Sequence, residues 1–363
     1  MVSIRRVRTP AGDPAWLVTG HAEVRFGYTD RRLGLTHHAP ENAPRVEDHQ
    51  LLGPSQLYSH EDEHTEHMAM RSLLAPFFSG RRITALQEEV RDLVHELLDT
   101  FTDGSADLHG QLSAPLSART LCALLGVPHS DHQAFRSLID AMGDTADRSR
   151  ADAGLEDLTA YLAALTSAKN DKPGDDLLSG LLAAGLENED VAGMAAMLLF
   201  AGYDSAAVAV DTGVVLFSEH RDQWRLLVEN PELTPSAVEE ILRFTEAGGS
   251  TFPRYARQDV RLGDAMVARG DAVLFDLGQA NVDSRTFPEP LRFDITRTPN
   301  PHLSFGHGPW HCVGAPLARL ELTEAFSALR LRFPELRSAG DKRDLRTEGT
   351  TFTERVRELP VVW

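Results

Sequence analysis

At 363 residues, 42% of them hydrophobic, the chain can bury a sizeable core, while a formal charge of −18 excludes nucleic acid as the main partner, since phosphate binding needs a basic face. Two cysteines, Cys122 and Cys312, stand far apart without a CxxC, which excludes a disulfide framework and a cysteine-rich zinc module. Met1–Arg6 has no apolar run behind it, so neither signal peptide nor membrane anchor is expected, and the expectation is a soluble, cytoplasmic protein.

Ala15–Thr19 reads as a strand and His21–Tyr28 as a short helix. Residues 36–66 are polar and irregular, yet His60-Glu61-Asp62-Glu63-His64 matches HExxH. On a helix this spacing puts two histidines on one face to hold zinc, with glutamate as general base. Ser59–Glu66 offers no apolar face to bury such a helix, so a zinc hydrolase at His60 and His64 is kept only as an alternative from another class. The helix that follows can pack Met68, Met70, Leu73, Leu74, Phe77 and Phe78 while His67 and Arg71, four apart, share a face. Leu86–Phe101 has helical periodicity, and Leu116–Leu125 runs into Gly126-Val127-Pro128, a stop signal that leaves Cys122 in the core. Ser130 or Asp131 is expected to cap the next helix, and Met142–Gly154, polar and small, reads as a mobile cover between two helices.

Asp175–Ala184 is a short helix ended by Gly185. A helix from about Glu189 to Glu219 would span roughly 45 Å, and, apolar on nearly all sides, it should run through the centre of the protein. Its middle, Ala201-Gly202-Tyr203-Asp204-Ser205, breaks the pattern. A mid-helix glycine costs about 1 kcal/mol against alanine, and a buried acid costs more unless partnered. Either helices pack closely at Gly202 beside a capped Asp204, or the turn is kinked and its acid and hydroxyl relay protons. Thr234-Pro235 starts the next helix, where Glu240 and Arg243 form E-x-x-R on one face, by itself the pattern of a surface ion pair. Strands follow at Thr251–Ala256, Val260–Leu262, Met266–Ala268 and Ala272–Leu277, with a last turn, Thr350–Thr353, before Val356–Val362.

The densest signal is Ser304-Phe305-Gly306-His307-Gly308-Pro309-Trp310-His311-Cys312-Val313-Gly314-Ala315-Pro316-Leu317-Ala318-Arg319-Leu320-Glu321. Glycines permit close approaches, and Pro316 suits a first helical turn. Cys312 therefore sits just before a helix N-terminus, which favours a thiolate. The spacing Phe305-x2-Gly308-x3-Cys312-x-Gly314 resembles the haem-binding loop of the cytochrome P450 family. Similar likenesses run through the chain in the family's order: "HMAMR", "AGYDS", E-x-x-R, the Phe287–Phe293 meander and the cysteine loop.

The resemblance implies a mainly α protein with a small β region, a single cytochrome P450 domain over 1–363 with a long central helix over haem and an N-terminus shorter than usual. Cys312 would be the axial ligand of the iron of haem b, a ligation known to favour O–O cleavage, with Phe305, Gly308, Trp310 and Gly314 around it. His67, Arg71 and Arg254 would bind propionates, Ala201 and Gly202 would give oxygen room, and Asp204 and Ser205 would route protons. Glu240, Arg243 and Arg292 would form a structural network under the haem. Ser250, Thr251, Phe252 and Phe352 would line the substrate pocket, with 40–66 and 142–154 as its roof. Two departures stand out: Ser205 replaces the usual threonine and loses the methyl that restricts its rotamer, and Trp310 replaces a histidine or arginine. The implied activity is a monooxygenase that hydroxylates a small or medium organic molecule in natural-product tailoring. It would act as a monomer, with electrons from NAD(P)H through ferredoxin and ferredoxin reductase. Oxidative coupling of aromatic groups on a peptide or natural product is the alternative within the class, and a non-catalytic haem-thiolate sensor one outside it.

Overall fold

The computed structural model describes residues 3–47, 53–55, 57–142, 147–245, 253–340 and 358–363. In chain order it begins with strands β1 (Ile4–Arg8) and β2 (Pro14–Val18), helix α1 (His21–Thr29), β3 (Leu33–Gly34), and helices α2 (Glu63–Leu74) and α3 (Gly80–Leu98). Strand β4 (Ser105–Asp107) leads into a π-turn at His109–Ser113, which continues as α4 (Ala114–Leu125). Then come α5 (His132–Met142), α6 (Arg148–Asp171), α7 (Leu177–Ala183), α8 (Asn188–Glu219), α9 (Arg221–Glu229) and α10 (Thr234–Phe244). Strands β5 (Arg254–Ala256), β6 (Val260–Leu262), β7 (Ala265–Val267) and β8 (Ala272–Phe275) precede the short α11 (Leu277–Ala280). The chain closes with α12 (Ala315–Arg332), β9 (Arg337–Ser338) and β10 (Pro360–Val362).

These elements fall into two compact units, each discontinuous in sequence: residues 1–72, 242–292 and 297–313, and residues 73–241, 293–296 and 314–363. The first unit is built on a five-stranded sheet ordered β1-β2-β8-β5-β3 and a β6-β7 hairpin. Among the described residues only β2 and β8 pair in parallel, Trp16 opposite Val273 and Val18 opposite Phe275. Val18, Val24, Leu33, Val260, Val273 and Phe275 share its core.

Among the described residues, the second unit is helical apart from the small sheet β4-β10-β9. Its axis is α8, whose 32 residues span about 48 Å. Val191, Leu199, Val210, Val214 and Phe217 are all buried, because the helix carries apolar side chains around its whole circumference. It is long and apolar enough to cross a membrane, yet 56% of its most apolar window is buried inside the protein, as in a core helix. At its C-terminal end Phe217 packs with Trp224, Phe293 and Phe326. A Cβ on Gly213 would stand 2.3 Å from the Phe326 ring and 2.9 Å from Ile241, so close packing fixes glycine there.

Several expectations shift. Helix α6 already starts at Arg148, so most of 142–154 is helix rather than cover, and 143–146 lie outside the described residues. A Cβ on Gly154 would approach the Met142 amide nitrogen to 2.5 Å, which makes this small residue a packing point against α5. Ser130 and Asp131 form a 3₁₀ turn before α5, the serine hydroxyl donating to Asp131 and Tyr161 donating to the same carboxylate. Thr234 lies inside α10 and donates to the Pro231 carbonyl. Leu277 belongs to α11 rather than to the strand before it. Cys122 is core, as expected, and burial pushes its thiol up to about 12.

Glu321, on α12, is also fully buried, and loss of hydration pushes its carboxyl from 4.5 up to about 8. The folded protein thus keeps a proton that the unfolded chain releases near 4.5. This contribution to stability is complete below pH 4.5 and is lost as pH rises towards 8. Glu321→Gln should therefore raise the Tm clearly at pH 8 and little at pH 5; an equal effect at both would show that the carboxyl titrates normally in the fold.

Candidate functional site

The first unit builds the cysteine loop. Gly306 and Gly308 have φ of +67° and +62°, left-handed conformations that side chains disfavour. A Cβ on Gly308 would also come within 2.8 Å of Thr29 on α1. The Gly306 amide donates to Leu303 O at 2.7 Å, and the Cys312 amide donates to Phe305 O at 2.7 Å, which closes the loop. Cys312 is exposed, in no disulfide, and three residues ahead of α12. Gly314 is that helix's N-cap, its carbonyl accepting from the Ala318 amide at 3.0 Å.

Around this loop the unit gathers the basic residues that the sequence singled out. Trp310 lies between two of them: the His67 ring stacks on it at 3.8 Å with planes 23° apart, and the Arg254 guanidinium sits 4.0 Å from its ring centre. Trp310 thus packs two nitrogen-rich groups against its indole. The Nε2 of His67 lies 3.1 Å from Pro309 O, and its Nδ1 lies 3.1 Å from the Tyr58 hydroxyl. Burial holds the His67 imidazole below its ordinary value, and pushes the Tyr58 phenol up to about 12. Arg71 donates to the His311 carbonyl beside the cysteine. Tyr58, placed on the irregular stretch ahead of α2, gave no periodic signal by which the sequence could reveal it.

Arg254 decides whether this group of residues fits haem. It projects from β5, is buried, and its NH1 has no hydrogen-bond partner. Burial holds its pKa below the usual arginine value. A buried cation with an unmade bond is costly unless an anion completes it. Carboxylates such as haem propionates would supply that anion, and Cys312 could offer the soft sulfur ligand that haem iron accepts. The residues fit the group.

Arg243, buried on α10, donates to the carbonyls of Asn281 (2.9 Å), Pro290 (2.7 Å) and Arg292 (3.1 Å). Asn281 passes this order to the cysteine loop: its Oδ1 accepts from the Leu303 amide at 2.7 Å, and its Nδ2 donates to Ser304 at 2.9 Å. The Arg292 carbonyl accepts from Arg243, and its guanidinium, largely exposed, pairs with Glu289. Arg297 shares the Arg292 carbonyl and also holds those of Pro288 and Glu289. Asn281 and Arg297 therefore belong to the scaffold and were not singled out from sequence. In the second unit Glu240 is buried and accepts from the Asp294 amide at 2.9 Å.

On α8 the stretch that looked odd in sequence is also odd in exposure. Ala201 is exposed and Gly202, Asp204 and Ser205 are half-buried on an otherwise largely buried helix. The Ser205 hydroxyl donates to Ala201 O at 3.0 Å, so it is held by its own helix despite the missing methyl. A Cβ on Gly202 would meet only Leu121 side-chain atoms at 3.4 Å or more, an ordinary contact. Packing does not require this glycine, in contrast to Gly213.

The zinc arrangement is absent. Helix α2 begins at Glu63, so His60 lies outside it and shares no helical face with His64. His60 Nδ1 instead meets the Thr36 hydroxyl at 3.1 Å, and the Glu63 carboxylate is buried against the Leu35 and Thr36 amides and Arg257. Among the described residues no group of three or more His, Cys, Asp or Glu could hold a metal ion. Ser250, Thr251, Phe252 and Phe352 lie outside the described residues.

Arg254→Met removes a buried cation and keeps much of its apolar volume. It should raise the Tm of haem-free protein and speed haem transfer to apomyoglobin at least several-fold. A lower Tm with unchanged transfer would show that Arg254 is satisfied within the protein.

Comparison with known proteins agrees with this geometry. Residues 63–348 match the family model for cytochrome P450. The chain is 38% identical to pentalenolactone synthase of Streptomyces exfoliatus, covering 99% of this chain and 93% of that one. It is 37% identical to mycinamicin IV hydroxylase/epoxidase of Micromonospora griseorubida, over 99% of this chain and 92% of the relative. Among solved structures, substrate-free cytochrome P450 PimD, a polyene macrolide antibiotic pimaricin epoxidase, superposes with a TM-score of 0.91 at 43% identity, covering 99% and 93% of the two chains. Stacked His67, Trp310 and Arg254 beside a glycine-shaped cysteine loop thus occur on a fold shared with these enzymes: the chain belongs to the cytochrome P450 family and is an oxidoreductase of its monooxygenase class.

Proposed function

We propose that this enzyme inserts an oxygen atom into a small or medium natural product, with Cys312 as the iron ligand of haem b. The observation that carries the cofactor assignment is the buried, incompletely bonded Arg254 guanidinium over Trp310. Its relatives' names support the substrate class, since they include enzymes acting on a macrolide antibiotic and on mycinamicin IV. Haem, when bound, supplies the activation of dioxygen.

The chain's own residues do the rest. Arg254 and Arg71 neutralise and orient propionates, and His67 offers a donor to one by giving up its bond to the Pro309 carbonyl. Arg243 and Asn281 hold the loop that presents Cys312. Asp204 and Ser205, half-exposed on α8, take up and pass protons. The glycine at 202 leaves space that packing alone would have let alanine fill. NAD(P)H is the electron source through a ferredoxin and its reductase, and the enzyme works in the cytoplasm as a monomer and a single P450 domain. Ser250, Thr251, Phe252 and Phe352 contribute to substrate selection.

The test is turnover of a panel of polyketide macrolides and small terpenoid lactones under heavy-oxygen-labelled dioxygen, with surrogate ferredoxin, reductase and NADPH. One labelled oxygen atom in the product is expected. Loss of two hydrogens without oxygen gain would replace this reading with oxidative coupling. Gly202→Ala should stabilise the fold by up to about 1 kcal/mol while lowering product formation several-fold; full activity in the stabilised variant would show that the glycine gives no functional space.

A further inference from the structure

Three polar side chains recur at every fourth residue along the π-turn and α4: His109, Ser113 and Ser117. All three are buried, on a run whose other residues include Leu112, Leu116, Leu121, Leu124 and Leu125. All three reach α8. His109 Nδ1 lies 2.7 Å from one Asp211 carboxylate oxygen, and the Ser113 hydroxyl donates to the other at 2.6 Å. Ser117 donates to Tyr203 O at 2.8 Å and to Gly202 O at 3.4 Å. From His109 to Ser117 and from Asp211 back to Tyr203 the chain advances by eight residues each, about 12 Å on a helix. The two helices are therefore joined along an antiparallel polar seam whose spacing matches on both sides. Leucine contacts alone would tolerate sliding, whereas a shift of one residue, about 1.5 Å, would break every bond in the seam. Buried polar contacts in apolar surroundings fix register in this way. From the other side, the Tyr203 hydroxyl donates to Asp140 of α5 at 3.1 Å.

We propose that this seam sets the register of α8 and that Ser117 is a positioning residue for the Gly202–Ser205 turn. The proposal rests on the reading that Asp204 and Ser205 handle protons. Two electrons and two protons convert dioxygen to hydrogen peroxide, and four of each convert it to two waters. A displaced turn that delivers protons poorly should therefore shift reduction towards peroxide.

The experiment compares holoenzyme carrying Ser117→Ala, Ser117→Thr and, as reference, Ser205→Ala. It measures the share of consumed NADPH recovered as hydrogen peroxide with surrogate ferredoxin and reductase and no added substrate. It also measures amide hydrogen exchange across residues 201–207. Ser117→Ala is expected to raise the peroxide share about two- to five-fold and to speed exchange at least ten-fold within 201–207 alone. Ser117→Thr should restore both. If Ser205→Ala raises peroxide while Ser117→Ala changes neither quantity, the positioning role is overturned. If Ser205→Ala leaves peroxide unchanged, the proton reading fails; local exchange then still decides the seam, faster exchange in Ser117→Ala upholding it and unchanged exchange sinking it.

Discussion

A guanidinium buried without a full set of partners is the constraint on which the functional unit depends. Arg254 is placed by the central sheet, where β5 pairs with β8 and β3, so it cannot easily withdraw to solvent. Trp310 lies against one face of it and Tyr28 is 5.4 Å away, aromatic contacts that attract a cation but do not accept its hydrogen bonds. An anion would complete the site, and His67 and Arg71 collect beside the same loop. Trp310 packs against both the His67 ring and the Arg254 guanidinium, so it contacts both without a charge of its own.

The same economy of position appears in the scaffold. Arg243 donates to three backbone carbonyls, and Asn281 turns that order towards Leu303 and Ser304. Neither residue needs to touch a ligand to matter. In the helical unit, α8 is fixed at Gly213 by close packing and along α4 by the seam, whereas Gly193 has open space and Gly202 only an ordinary contact with Leu121, so packing requires neither.

Much of this was legible in the sequence because local rules carry it. The cysteine loop needs glycine where φ is positive, α8 is apolar around most of its circumference, and α4 ends at Gly126 with φ +77°. Long-range arrangements were not legible. Tyr58 and Asn281 lie in irregular or short segments, and Arg297 is one arginine among several near the meander. His109, Ser113 and Ser117 form a stripe only once α4 lies against α8. Residues 142–154 misled because small polar composition suits a loop and equally a helix that must approach its neighbour closely, as Gly154 does.

Thiolate ligation of haem iron by Cys312, on a loop held by Arg243 and Asn281, is read out by the reduced carbon monoxide difference spectrum of the purified protein. Such ligation gives a strongly red-shifted Soret band, lost in Cys312→Ala. A band at the position typical of histidine-ligated haem, or the same spectrum in both proteins, would contradict it.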